Sequence, residues 1–214
     1  MNTIVVRDAI LDIAKYFLSD EKEMVDVDPT CFEGFQIVSE LEGTNKLYVV
    51  ESVETKKPAI MKVYTGDLTK FARDVEYTRL LSAYDIAPHL LFASKCNKRA
   101  GVMILEKYQM SLRQLIEKGP IEPELKKKIE CLITAKVKAM HELGIAHGDL
   151  HADNIVLDLH PLRIAIIDYE MAFPIAEGRH DPRVLNWMKD GFDWEEGYDA
   201  FVNYDLTNWK IELD

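Results

Sequence analysis

Cysteine is scarce in this chain, three in 214 residues. Cys31, Cys96 and Cys131 are widely spaced, odd in number and form no CxxC pair. They fit neither a disulfide framework nor a zinc-ligand pattern, and they read as buried or idle thiols, with a reducing compartment as the simplest setting. Basic residues are also in the minority, 26 Lys and Arg against 37 Asp and Glu, for a formal charge of −11. So few cations cannot build a broad face against nucleic acid or an anionic membrane. The run Lys126-Lys127-Lys128 reads instead as the solvated side of a helix. No apolar stretch approaches the roughly 20 residues of a membrane span, and MNTIVVRDAILDIAKYF lacks the basic start and unbroken apolar run of a secretory signal. There is no Pro/Gly-rich linker, low-complexity tract or internal repeat. The expectation is a cytoplasmic globular protein, in its own cell or in one it is delivered into, with neither a membrane nor nucleic acid as partner.

What is present is a hydrophobic content of 48%, enough for one domain or two small lobes. Apolar residues from Ile4 to Phe17 recur at helical spacing and predict an amphipathic helix over residues 2–19, followed by the acidic DEKEMVDVD. FQIVSE, KLYVVESV and PAIMKVY are short, β-branched and separated by turn-like EGTN and ETKK, which predicts an antiparallel meander. A helix is predicted over 68–83 with Asp67 as N-cap and Phe71, Val75, Leu80 and Leu81 as its apolar stripe. IAPHLL and GVMILEKY predict two further strands around the turn KCNKRAG. From Ser111 the pattern turns helical: SLRQLIEKG, then a long helix with Pro123 in its first turn and Gly144 at its end. Two apolar strands, NIVLDL and RIAIIDYE, follow, joined by a turn at His160-Pro161. Trp187, Trp194 and Trp209 predict one or two packed helices beyond them. The boundaries expected are a lead-in over 1–34, an α+β lobe over 35–108 and a mainly helical lobe over 109–214.

The chemistry concentrates at residues 147–154, HGDLHADN. By itself this octapeptide is compatible with a His/Asp metal cage using His147, Asp149, His151 and Asp153, with a catalytic loop, or with a polar turn. Elsewhere the chain places Lys62 within the apolar strand AIMKVY, where a lone ammonium needs a partner, and Glu76 on the next helix is the best-placed carboxylate. Asp149, Asn154 and Asp168 offer hard oxygens of the type Mg²⁺ prefers, with Asp149 placed to face an acceptor hydroxyl. A phosphoryl-transfer site needs a cation on the nucleotide phosphates, oxygen ligands for Mg²⁺ and a proton acceptor, and all three are here.

In order and spacing, the stretch from about Phe35 to Phe173 resembles the protein kinase-like superfamily. MHELGIAHGDLHADNIVLD resembles the end of a long helix plus the catalytic loop, which puts Asp149 in the place of the catalytic aspartate and Asn154 in that of the metal-binding asparagine. IIDYE stands where that family has DFG, so Asp168 takes the principal metal-ligand role. AIMKVY resembles the strand with the phosphate-binding lysine, Lys62, and VEYTRLL the helix whose glutamate, Glu76, pairs with it. MILEKYQMSL resembles the hinge, with Leu105 as gatekeeper and the backbone of Glu106 to Tyr108 against adenine. The resemblance implies a two-lobed kinase-like fold with a five-stranded antiparallel sheet and one helix in the N-lobe and a shortened, mainly helical C-lobe. It also implies ATP and Mg²⁺ as cofactors.

The departures are specific. In place of a Gly-rich loop, ELEGTNKLYVV offers Gly43, Thr44 and Asn45 for approach to the phosphates. Gly148 replaces the usual arginine before Asp149, so an activation-loop phosphate held by that arginine is not expected. His151, two residues after Asp149, is a secondary catalytic candidate, and the HGDLH form is the one seen in aminoglycoside phosphotransferases, choline-type kinases and other atypical members. Few residues follow Asp168 and no APE triplet is recognisable, so the resemblance is to a minimal kinase. The expected function is a kinase for Ser/Thr hydroxyls of a docked protein partner. A small-molecule or sugar phosphotransferase and a non-catalytic scaffold of the same fold are the alternatives.

Overall fold

The computed structural model describes residues 29–41, 46–175, 204–210 and 213. The helix expected over 2–19, the Gly43-Thr44-Asn45 turn, Trp187 and Trp194 lie outside them. Two compact units are present, Met1–Val75 with His89–Lys107, and Glu76–Pro88 with Tyr108–Asp214.

The first unit is a five-stranded antiparallel sheet. It contains β1 (Phe35–Leu41), β2 (Lys46–Ser52), β3 (Pro58–Thr65), β4 (Leu90–Lys95) and β5 (Ala100–Glu106), in the spatial order β1-β2-β3-β5-β4. The meander predicted for the first three strands is present, and the period of two assigns their faces. Tyr48, Val50, Ala59, Met61, Val102 and Ile104 pack together on one side. Tyr64, Met103 and Leu105 pack with Phe71 and Val75 on the other. Helix α1 (Thr69–Ser82) follows β3 directly, and its residues as far as Val75 belong to this unit. Asp67 Oδ1 accepts the Thr69 N–H at 2.9 Å at its start. Gly101 is small for a reason: a Cβ there would lie 2.9 Å from the Phe71 ring, so the bare backbone lets the helix settle on the strand.

Two expectations fail here. Cys31 and Cys96 are joined by a disulfide with Cα atoms 5.2 Å apart. The pairing brings a turn at Pro29–Phe32 against the β4–β5 connection, a contact between residues 65 apart that spacing along the chain does not encode. The idle-thiol reading is therefore wrong for these two, and the reducing compartment loses its premise, while Cys131 is a free, exposed thiol. Leu80, assigned to the apolar stripe of α1, is 44% exposed.

The second unit is built on α3 (Pro123–Glu142), whose Ile129, Ile133, Val137 and Met140 are fully buried at four- and three-residue spacing. Glu122 caps it by accepting the N–H groups of Glu124 and Leu125, and Gly144 takes φ +76° just past its end. The shorter α2 (Leu112–Glu117) begins with a capping box of Ser111 and Gln114. Around α3 lie a three-stranded sheet of β6 (Met110–Ser111), β8 (Ile155–Leu159) and β9 (Leu162–Ile166), and a pair of β7 (Ile145–Ala146) with β10 (Phe173–Pro174). Residues 204–210 form a final helix, α4, which buries Trp209 in the same core as Leu150, Ile155 and Tyr169. The architecture is α+β, with a five-stranded antiparallel sheet and few helices, as expected. Among the described residues no helix is long and apolar enough to cross a membrane.

Candidate active site

Lys62 lies on β3 with its side chain on the helix-bearing face, since it is two residues from Tyr64 and pairs with Met103 across the ladder. Its Nζ is 3.1 Å from Asp74 Oδ2, and the two side chains are 8% and 0% exposed. The partner expected from the sequence was Glu76, and the structure corrects it. On α1 the buried positions are Phe71, Asp74, Val75, Thr78 and Leu81, one stripe at helical spacing. Glu76 sits two residues past Asp74, about 200° around the helix, and is exposed. The missed signal was an acid within the apolar stripe, at a position where a charge survives burial only if it is paired.

The segment 147–154 leaves β7 and enters β8 within the second unit. His147 is fully buried. Its Nε2 donates to Ile167 O at 2.9 Å, and its Nδ1 accepts the Asp149 N–H at 3.3 Å. The imidazole therefore ties the loop to the chain just before Asp168, and its ring lies 5.1 Å from that of Tyr169. With both ring nitrogens committed in this way, His147 has no lone pair for the metal cage considered from the sequence.

Gly148 has φ +77°, and a Cβ on it would stand 2.8 Å from Met171 O. No side chain fits there, arginine included. The N–H groups of His147 and Gly148 are taken up by Asp205 on α4, at 2.7 Å to Oδ2 and 3.2 Å to Oδ1. Asp205 is itself fully buried, with His141 Nε2 at 3.2 Å from its Oδ2. Asn208, one turn on, donates to Leu150 O at 3.2 Å. Sequence reasoning missed both α4 residues. Asp205 carried the only available signal, an acid one helical turn before the buried Trp209.

Held this way, the loop presents Asp149 with its side chain half exposed. Asn154 is buried, and its Nδ2 donates to Asp149 O at 2.8 Å. A carbonyl oxygen accepts only, so this contact places Nδ2 on the Asp149 side and Oδ1 at the other end of the amide. His151 Nε2 is 3.1 Å from Asn154 Nδ2 and 4.0 Å from Asp149 Oδ2, and its Nδ1 is 3.2 Å from Asp153 Oδ2. Asp168 adopts the left-handed conformation, φ 70° and ψ 63°, at the point where β9 gives way to a turn over Tyr169–Met171. A non-glycine residue there is conformationally costly, though aspartate tolerates it better than most, as Asp85 at φ 57° also does in a turn. Asp149, Asn154 and Asp168 thus belong to one unit. Asn154 Oδ1 and the Asp168 carboxylate are hard oxygens of the class that fits Mg²⁺.

At the expected hinge, Leu105 is buried beside Tyr64 and Phe71, and the Glu106 N–H is committed to His89 O at 2.9 Å. Tyr108 lies in the second unit, with the Arg163 guanidinium 4.9 Å from its ring centroid.

This sheet, this helix and this loop resemble those of the protein kinase-like superfamily, and comparisons with known proteins support that likeness. Residues 104–175 match the model of the phosphotransferase enzyme family. The chain is 27% identical over 158 residues to a protein kinase US3 homolog of Gallid herpesvirus 2 (strain Chicken/Md5/ATCC VR-987), a match covering 72% of this chain and 38% of that relative. It is 28% identical over 78 residues to a 3-deoxy-D-manno-octulosonic acid kinase of Photobacterium damsela subsp. piscicida, covering 36% and 32%. It is 26% identical over 107 residues to a probable serine/threonine-protein kinase of Fowlpox virus (strain NVSL), covering 50% and 35%. The chain thus spans well under half the length of the curated relatives it matches.

Proposed function

We propose that the protein is an ATP- and Mg²⁺-dependent kinase that transfers a γ-phosphoryl group to a Ser/Thr hydroxyl of a protein partner recognised by docking. The observation that carries the reading is the pinned amide of Asn154, whose Nδ2 is held 2.8 Å from Asp149 O. This fixes which end of the amide carries the hard oxygen, on the same loop as a half-exposed carboxylate. Asn154 and Asp168 are the residues to hold Mg²⁺, which when bound would neutralise charge on the transferring phosphoryl group. Asp149 orients the acceptor hydroxyl and takes its proton, and His151, within 4.0 Å of Asp149, steadies that carboxylate. Lys62 holds the α- and β-phosphates, with Asp74 rather than Glu76 as its partner. The phosphate role of Gly43, Thr44 and Asn45 is assigned from the sequence, with Leu105 given the nucleotide position and the backbone of Glu106 and Tyr108 the adenine.

The two viral relatives named as protein kinases favour a protein acceptor. The match to the phosphotransferase enzyme family and to a sugar-acid kinase supports a second reading, a small-molecule hydroxyl acceptor. Incubation with γ-³²P-ATP and a cell lysate tests the proposal. Label entering discrete proteins with the wild type and absent with Asp149→Ala or Asp168→Ala is expected, whereas label confined to small molecules selects the second reading. No transfer at all, with nucleotide still bound, would make the protein a scaffold.

A further inference from the structure

Asp74 Oδ2 receives two donors, Lys62 Nζ at 3.1 Å and the Tyr64 hydroxyl. Both donors come from β3, at positions i and i+2, and so from one face of the strand. The ring of Tyr64 packs edge-on against Phe71 at 5.3 Å between centroids, and the Lys62 ammonium stands 4.9 Å from the Tyr64 centroid. Aspartate has a short side chain, so its carboxylate stays near the helix backbone and cannot follow a moving ammonium. A buried ion pair holds only where further hydrogen bonds satisfy the carboxylate and fix its geometry.

We infer that Tyr64 is a positioning residue whose hydroxyl fixes the Asp74 carboxylate toward Lys62 while its ring supports the ammonium from the side. The inference deepens the proposed function and rests on Lys62 being the phosphate-binding cation.

Tyr64→Phe keeps the ring against Phe71 and removes only the hydroxyl. It is expected to lower kcat for phosphoryl transfer roughly tenfold, the scale of one charge-assisted hydrogen bond, and to move KM for MgATP by less than about twofold. Adding Asp74→Glu to Tyr64→Phe lengthens the carboxylate into the space the hydroxyl vacated and should recover most of the lost kcat. A second readout needs no catalysis: hydrogen exchange of the Lys62 ammonium, followed by ¹⁵N NMR and assigned with Lys62→Met. The exchange is expected to be slow in the wild type and roughly tenfold faster in Tyr64→Phe, with recovery in the double variant. A wild type that transfers no phosphoryl group defeats the proposed function, and ammonium exchange still judges the clamp. Tyr64→Phe with wild-type exchange, or with a kcat loss matched by an equal loss of folded protein, overturns the inference.

Discussion

The Asp205 carboxylate accepts the His147 N–H at 2.7 Å, so a helix near the end of the chain holds the backbone from which Asp149 projects. Removing that carboxylate leaves the buried His147 N–H and the part-buried Gly148 N–H without their acceptor. Asp205→Ala should therefore cost about 2–4 kcal/mol of stability, on the scale of unsatisfied buried donors. Chemical denaturation gives the cost directly, and amide exchange at His147 and Gly148 should rise well beyond that at the Ile129 and Ile133 amides. Unchanged exchange at those two amides would remove Asp205 from this role.

Gly148 has no room for a Cβ, with Met171 O at 2.8 Å, and its φ is positive. Gly148→Ala combines left-handed strain of roughly 1–2 kcal/mol with a backbone collision, and a loss of more than about 2 kcal/mol is expected. The collision displaces either the loop or the Met171 segment, so phosphoryl transfer should fall further than stability alone accounts for. Thermal unfolding and a transfer assay on the same preparation separate the two effects.

Asp74 and Glu76 make a discriminating pair. Asp74→Ala strands a buried ammonium and should destabilise by about 3–5 kcal/mol, whereas Glu76→Ala, on an exposed face, should stay within about 0.5 kcal/mol. Equal effects from the two substitutions would restore Glu76 as the partner of Lys62.

At the start of α3, backbone hydrogen bonds from Glu124 and then Leu125 hold the Glu122 carboxyl below its ordinary value of 4.5. A lowered folded-state value favours the folded protein above pH 4.5, and that contribution disappears as the pH falls through the folded value. Unfolding midpoints in urea should thus drop more steeply on acidification below pH 4.5 for the wild type than for Glu122→Gln, the two curves converging at the acid end. Parallel curves would count against the cap.

Much of the fold was legible. Alternation in KLYVVESV and PAIMKVY, turn residues between them, and the four-residue spacing of Ile129, Ile133 and Val137 are local signals, and each of these elements forms close to the expected bounds. The loop 147–154 was legible because its glycine, acids and amide are crowded into eight positions. Glu76 was misjudged because the order of residue types along a helix does not state which face turns inward. That is decided by the packing of Phe71 against Gly101 and Tyr64.

By itself the sequence determined the two periodicities, the charge balance and the residue types that could serve phosphoryl transfer. These are properties of neighbouring residues, and short-range sterics and hydrophobic patterning express them directly. Only the tertiary structure decided that Asp74 answers Lys62, that Asp205 and Asn208 hold the loop, that Gly148 admits no side chain, and that Cys31 meets Cys96. Each of these is a contact between residues distant along the chain or a choice between helix faces. Such contacts are selected by close packing and by the cost of leaving a buried polar group unpaired, which no local stretch contains.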